Sequence, residues 1–481
     1  MEPIEGHPPP TGHDRLYRAF LGAAAVLFIS TRLLLFTDVG PYVFVDTLKY
    51  MGGADTLWQG AGLPPAFTHL AVTGGVLHAV PGYSAFIFLV WWLSAGPSVS
   101  EIVIAQAAVS LLGFCAAAHL AAQIGGRWAA PVLLIALSLS PAIAWLEHTL
   151  MPDTLVAPLL WIACWLAFRF PTRDSKVLSG SLAGLGTGVI MGAEVLLRAS
   201  SQAFVPVPPI VAFLRGDGMR RIALWLGCYA VGAGLSLSPW ILHNARVHGL
   251  YVISASMGRN VFYSAAWSGA IDRGEESLLF VVESEFRRLI NQDLSYAEAD
   301  AKMLEIGLRA YAEQDVGTTL RQRWMAMNQF FTVESLAEIV DGVLRHGMPS
   351  SRETHLVEDR FRYRLTPDVR ESFLRARVGP SWARPAVRAW WTQLDLSGWP
   401  LAILFALGLL GLPLCARPWY ALWIFAAPAL AFLAVYFAVG VPEYRYQVQL
   451  HPFFLATAVI GCAGVLKRIP QLRGRSGKGA P

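Results

Sequence analysis

The sequence predicts an all-α, polytopic membrane protein, and three observations carry that prediction. Only 15% of its 481 residues are charged, against about 25% in soluble globular proteins, while 55% are hydrophobic. Mean hydropathy is +0.46. The apolar residues form long unbroken runs rather than stripes, and about 20 such residues are what a helix needs to cross the hydrocarbon core.

The net charge of +5 fits the same class. Surplus Lys and Arg in a polytopic protein gather in cytoplasmic loops and set orientation. No basic stretch interleaved with aromatics points to nucleic acid. The five cysteines lie in or beside apolar runs without CxxC spacing, which argues against a disulfide framework or a thiolate zinc site.

Residues 1–18 are polar and proline-rich and read as a cytoplasmic tail, since Arg15 and Arg18 precede the first span at 19–36. No small-residue cleavage site follows, so this helix is expected to be retained. Residues 38–80 then form the first outer loop. The next apolar run, 81–96, is short for a span and has no flanking Lys or Arg, and its Trp91 and Trp92 suit the interface. It is expected to lie along the membrane surface. Spans follow at 102–123, 129–143, 155–168, 177–197, 203–214 and 222–242, then a polar insert at 243–397, then spans at 399–414, 419–439 and 453–466. With ten spans and one interfacial helix, every strongly basic turn and the basic tail 467–481 fall on the cytoplasmic side. The transmembrane region thus comprises 19–242 and 398–466. The insert, with helical periodicity at 275–292 and 296–331 and an apolar stripe of Ala299, Met303, Ile306, Leu308 and Ala310, reads as a small, mostly helical extracytoplasmic domain. Gly180, Gly184, Gly188 and Gly192 recur at i, i+4 and predict close helix packing.

Carboxylates at or in a bilayer are costly and mark functional sites by default. The outer candidates are Asp46, Asp55, Glu147, Asp153 and Glu443. Glu194 lies within a span four residues before Arg198, a spacing that predicts an ion pair on one helix face. Asp153 follows Pro152 and also suits a helix start, as Asp46 suits an N-cap. The cationic groups on the same side are His78, His148, Arg198, His243, Arg246, His248 and Arg445. Arg445 sits between Tyr444 and Tyr446, which fits either a phosphate ligand or an interfacial anchor.

These residues carry a resemblance. Asp46-Thr47-Leu48-Lys49-Tyr50 with Trp58-Gln59-Gly60 resembles the acidic first-loop motif of GT-C glycosyltransferases, in particular the bacterial branch of protein O-mannosyltransferases and lipid A aminoarabinose transferases. His78-Ala79-Val80-Pro81-Gly82-Tyr83, Leu150-Met151-Pro152-Asp153, Ser238-Pro239-Trp240 with Asn244 and Gly249, and Glu443-Tyr444-Arg445-Tyr446 are similar to further motifs of that branch, in the same order. Two departures stand out. Thr47 occupies the place of a second acid, and Leu197-Arg198-Ala199 stands for a Thr-Arg-Pro segment.

The resemblance implies a GT-C-like bundle that transfers a monosaccharide from a polyprenyl-phosphate carrier to a lipid, glycan or protein hydroxyl, with inversion. The site would face outward from the inner (plasma) membrane. Asp46 and Asp153 would be catalytic. Substrate binding would fall to Tyr50, His78, Tyr83, His148, Arg198, Arg246, Arg445 and Tyr446. A divalent metal ion is the one cofactor the resemblance suggests, at Asp46 and Asp153, and Thr47 weakens that suggestion. A flippase of lipid-linked glycan is the alternative of another class, but no internal repeat of the transporter type is visible. A non-catalytic relative is the third reading.

Overall fold

The structure is a computed structural model that describes residues 12–38, 41, 47–60, 80–169, 177–215, 218–254, 257–272, 274, 276, 278–332, 366–375, 384–394, 398–439 and 444–476. Among these residues every regular element is helical. The membrane region opens with α1 (Gly12–Asp38), α2 (Thr47–Trp58), α3 (Gly82–Leu93) and α4 (Val99–Gly125). A bent pair follows, α5 (Ala129–Leu139) and α6 (Pro141–His148), then α7 (Asp153–Arg169) and α8 (Val177–Leu197). A 3₁₀ turn at Ala199–Phe204 leads into α9 (Val207–Leu214) and α10 (Met219–His248).

Among the described residues, six helical stretches are long and apolar enough to cross a membrane: Arg15–Phe36, Val99–Gly125, Val177–Leu197, Met219–Arg246, Pro418–Phe437 and Gln449–Arg468. The chain is a multi-pass membrane protein. The other four expected spans form helices of different shapes. The run at 129–143 is bent by 61° between α5 and α6. The run at 155–168 lies in the 17-residue α7, and those at 203–214 and 399–414 are shorter apolar helices. α3 has 12 residues, about 18 Å, well short of the roughly 30 Å hydrocarbon core.

The glycine strip on α8 packs as expected. A Cβ at Gly184, Gly188 or Gly192 would overlap Trp225, Tyr229 or Ser236 of α10, and Gly232 answers from α10 against Leu185. Pro158 of α7 likewise fills the space that Gly113 of α4 leaves open.

The bend between α5 and α6 needs explanation, because Pro141 has no N–H and leaves carbonyls of the previous turn unpaired. Such groups inside a bilayer cost several kcal/mol each, by order of magnitude. Arg32 of α1 takes one of them, donating to the Ser138 carbonyl at 2.6 Å. Its other nitrogens grip Glu147 at 2.7 and 3.1 Å. Glu147 is therefore a structural counter-ion rather than a free outer acid. Arg32 was not among the residues that the sequence reading singled out, although a lone arginine within an apolar run is itself a signal.

The insert begins with α11 (Met257–Trp267), α12 (Leu278–Ile290), α13 (Tyr296–Glu313) and α14 (Val316–Thr332). Phe262, Val282, Phe286, Leu289, Ala299 and Met303 form its core. Leu308, expected on the buried stripe, is exposed, and Gly307 faces α11 instead, because the contact repeats at 299, 303 and 307. The remainder does not belong to that core: α14 buries Phe331 in the membrane core, and α15 (Pro367–Arg375) and α16 (Arg384–Leu394) follow. Val369 is buried with Met51, Tyr83, Leu150 and Leu197 of the membrane region. Trp390 donates to the Leu139 carbonyl at the α5–α6 bend, at 2.9 Å.

α17 (Trp399–Gly411) leads to α18 (Pro418–Ala421), a π-helical turn at Leu422–Ala426 and α19 (Ala427–Val439). α20 (Tyr444–Ser476) closes the chain. It packs on α17 through Gly408, Gly411 and Gly461, where backbones touch.

Replacing Arg32 by Met strands a buried Glu147, and the expected cost is about 3–5 kcal/mol. The double variant Arg32→Met, Glu147→Leu is expected to recover a large part of that loss. Thermal unfolding of the detergent-purified protein measures both, and strictly additive losses would show that the two residues do not act as a unit.

Candidate functional site

The site begins with the helix starts that meet around Asp153. Pro152 ends the preceding turn, and Asp153 is the first residue of α7. A carboxylate there is favoured by the helix dipole. Its side chain, however, bridges helices. Arg198, just past α8, and Gln449 of α20 both donate to Asp153 Oδ1. Asp153 Oδ2 is buried without a hydrogen-bond partner among the described residues. The expected pair between Glu194 and Arg198 does not form, because Arg198 points out of its own helix toward α7. Arg198 also donates through Nε to Ser200 at 2.8 Å and lies 5.8 Å over the Phe432 ring. Glu194 stays buried, with neither carboxyl oxygen hydrogen-bonded among the described residues.

Around this pair the motif segments meet. Thr47, at the position where the family resemblance places a second acid, is fully buried, and its hydroxyl donates to the Leu150 carbonyl at 3.1 Å. The start of α2 is thereby fastened to the loop that carries Asp153. Tyr50, one turn on, meets the Tyr83 ring edge-to-face with centroids 5.1 Å apart, and its carbonyl accepts from Ser84 at 3.0 Å. Gly82 explains the Pro-Gly-Tyr sequence. A Cβ there would overlap the backbone of Leu196 and Leu197, so α3 can sit directly on the end of α8, beside Arg198.

Tyr83 is fully buried and donates to Gln106 Oε1. Gln106 in turn donates to the carbonyls of Glu147 and Thr149, at 2.8 and 3.1 Å. Burial, with Tyr50 and Asp153 adding to it, pushes the Tyr83 phenol well above its ordinary pKa, so it stays a donor. Gln106 and Gln449 were missed by the sequence reading. Gln106 shares its helix with Glu101, His119 and Gln123, and Gln449 lies two residues after Gln447, so neither amide stands out in the sequence.

The structure separates other candidates from this cluster. His148 is buried, and its Nδ1 lies 2.8 Å from the Ala144 carbonyl of its own helix. Arg246 is exposed near the end of α10. The neighbouring signature acts as a chain reversal. Trp240 and Asn244 donate to the carbonyls of Ile253 and Val252, and Gly249 closes the helix with φ +70°. Asp55 is buried and accepts from Gln59 and from the backbone and hydroxyl of Thr366, so it docks the insert on α2. Asp46, His78 and Glu443 lie outside the described residues, as do the side chains of Arg445 and Tyr446 on α20 and that of His248 on α10.

No group of three or more His, Cys, Asp and Glu side chains is placed to hold a metal ion among the described residues. Asp153 already faces a guanidinium, so the described donor set does not fit a divalent ion.

No protein-family model matches the chain, and no curated protein sequence matches it. Among solved structures, the chain is similar to the oligosaccharyltransferase of Archaeoglobus fulgidus in its apo form, with 13% identity and a TM-score of 0.48 over 96% of this chain and 52% of that one. The chain thus spans about half the length of that protein. It is also similar to ArnT from Cupriavidus metallidurans bound to undecaprenyl phosphate, with 15% identity and a TM-score of 0.38 over 96% of this chain and 80% of that one. The apo state of the same ArnT gives 14% and 0.38 over 93% and 76%.

Arg198→Met leaves Asp153 buried without its cation and is expected to cost about 3–5 kcal/mol in thermal unfolding. Arg198→Lys is expected to fall between the two, since one ammonium cannot hold both Asp153 and Ser200 in the fork geometry of arginine. Equal stability of all three proteins would show that the pair carries no load.

Proposed function

We propose that the chain is a GT-C-type membrane glycosyltransferase that moves a monosaccharide from a polyprenyl-phosphate carrier to a hydroxyl of an extracytoplasmic lipid, glycan or protein. One observation carries the reading. Segments that are distant in sequence, those of Thr47–Tyr50, Gly82–Tyr83, Leu150–Asp153, Arg198 and Gln449, touch one another around a single buried carboxylate. Three of the five motif segments that carry the family resemblance are represented there, and Gln449 lies one helical turn after Arg445 of a further one.

In this reading Asp46, the residue before Thr47, accepts the proton of the acceptor hydroxyl. The acceptor oxygen forms a bond to the anomeric carbon while the bond from that carbon to the carrier phosphate breaks on the opposite face. Inversion follows from the single displacement. The phosphate leaves with a growing charge, and cations aimed at it lower the barrier. Arg445 and His78 are the proposed ligands. Arg198 becomes a positioning residue through Asp153, and Asp153 with Gln449 holds the start of α20 in register. Tyr50 and Tyr83 form one wall. No step is routed through a metal ion. The positive-inside pattern supports placing the site at the outer face of the plasma membrane.

The test is transfer of radiolabelled sugar from synthetic polyprenyl-phosphate donors by purified protein in nanodiscs, with an extract of envelope lipids, glycans and proteins as acceptor pool. Wild type is expected to transfer, and Asp46→Asn to be slower by a factor on the order of 10²–10⁴, the range for loss of a general base. A wild-type protein that moves donor between leaflets but labels no acceptor would replace the transferase reading with the flippase one.

A further inference from the structure

The last helix of the insert's first group, α14, presents a side that its neighbours do not. Val316, Leu320, Trp324 and Met325 on it are between 46% and 72% exposed. Val316, Leu320 and Trp324 repeat at i, i+4 and i+8, so they share one side of the helix over about 12 Å. The 17 residues of α14 include no Asp or Glu. The exposed sides of α12 and α13 are of the opposite kind. They carry ion pairs between Arg287 and Glu283, Arg288 and Glu285, Lys302 and Glu305, and Arg309 and Glu305. Their exposed apolar residues, Phe280 and Leu308, stand singly, which is ordinary for a surface in water.

Two parts of the molecule hold α14 in place. Arg323 turns toward the insert, donating to Ser264 of α11 at 3.0 Å and lying 4.6 Å over the Tyr311 ring of α13. Toward its C-terminus the helix joins the membrane region. Phe331, seven residues after Trp324, is buried in the core of the spans, and Met327 packs against that core. These spacings of three and seven place both residues on the side of Trp324. The rings of Trp324 and Phe331 both meet Trp399, the first residue of α17, with centroids 6.5 and 5.2 Å away. A tryptophan at the end of an apolar helix marks the depth at which headgroups lie. The exposed stripe thus extends, from that depth, a side of the helix that already belongs to the membrane core.

We propose that α14 lies in the membrane interface, with the side of Val316, Leu320 and Trp324 among the lipids of the leaflet next to the insert. An interfacial helix buries its apolar side about 5–10 Å into the boundary between headgroups and acyl chains. Continuity selects lipid as the occupant: a side that packs on the spans at one end meets, at the other, what surrounds the spans. Of the two arginines on α14, Arg323 is buried in the insert, and Arg321 is exposed beside the stripe, where a long basic side chain reaches phosphates. Through Arg323 the helix holds the α11–α13 core against the bilayer. The insert therefore rests on the membrane instead of standing clear of it. This surface is independent of the transferase reading.

The test uses the full-length protein in phosphatidylcholine nanodiscs, with the photoreactive residue benzoylphenylalanine placed at Leu320, at Val316 or, as the water-facing control, at Lys302. Mass spectrometry after irradiation reads the adducts. Leu320 and Val316 are expected to give phosphatidylcholine adducts, and Lys302 none. Adducts at Leu320 to a second copy of the chain, or to another segment of the same chain, in place of lipid would overturn the proposal. Leu320→Glu gives a second reading, by hydrogen exchange in the same nanodiscs. A charge in place of a leucine among lipids is expected to speed exchange across 316–324 about tenfold, the equivalent of about 1.4 kcal/mol of local stability. A leucine facing water tolerates the change within about 0.5 kcal/mol, roughly twofold, so exchange held within that margin would also overturn it.

Discussion

The architecture of the candidate site depends on one buried carboxylate. Asp153 has almost no access to solvent, and a carboxylate so placed must be compensated or it destabilises the fold. Compensation comes from the end of α8 through Arg198 and from the start of α20 through Gln449. Both donors converge on one oxygen, which ties three helices at a point. The other oxygen is left without a partner among the described residues.

A second buried charge pair solves a different problem on the same side of the molecule. The bend at Ser140 and Pro141 aims α6 toward α7 but frees carbonyls in an apolar setting. Arg32 and Trp390 reach two of them, the first from α1 and the second from the insert. The insert thus takes part in the membrane fold. Its helix α15 shares the core around Met51, Tyr83 and Leu197 through Val369, and Thr366 just before it holds Asp55. An account of this protein as a transmembrane bundle plus a separate outer domain is therefore too simple. The helices α11–α13 have their own core, α14 packs Phe331 into the membrane core, and α15 lies against α2 and α4 while α16 lies against α1 and α6.

The fold class was legible in the sequence because it rests on dense, redundant signals: run length, low charge and small-residue spacing. Gly184, Gly188 and Gly192 pack on α10 as their spacing predicts, since helix faces follow from local periodicity alone. Partner choice was not legible in the same way. Four residues separate Glu194 from Arg198, and helical spacing offers that pair, yet the 3₁₀ turn after Leu197 carries Arg198 out of the helix and across to Asp153. Which of two acids an arginine serves is decided by where α7 begins, a tertiary fact. The amides of Gln106 and Gln449 were silent for the same reason, as was the docking of α15, since helical spacing does not say which helices its buried Val369 meets. The first-loop motif was legible as a motif, but its acid, Asp46, lies outside the described residues, and only its neighbours test the grouping.

Those neighbours sharpen the meaning of Thr47. Its hydroxyl is buried against the Leu150 carbonyl, three residues before Asp153. A carboxylate in that place would face a carbonyl oxygen with no proton to share, near a second buried acid already paired to Arg198. Two acceptors opposed in a low-dielectric setting repel, and the cost of an uncompensated buried charge is several kcal/mol, by order of magnitude. The second acid could be restored only if the loop at Leu150 moved or a cation entered with it. In this chain the threonine converts that position from a charged group into a fastener. That hydroxyl is what joins the start of α2 to the loop before Asp153.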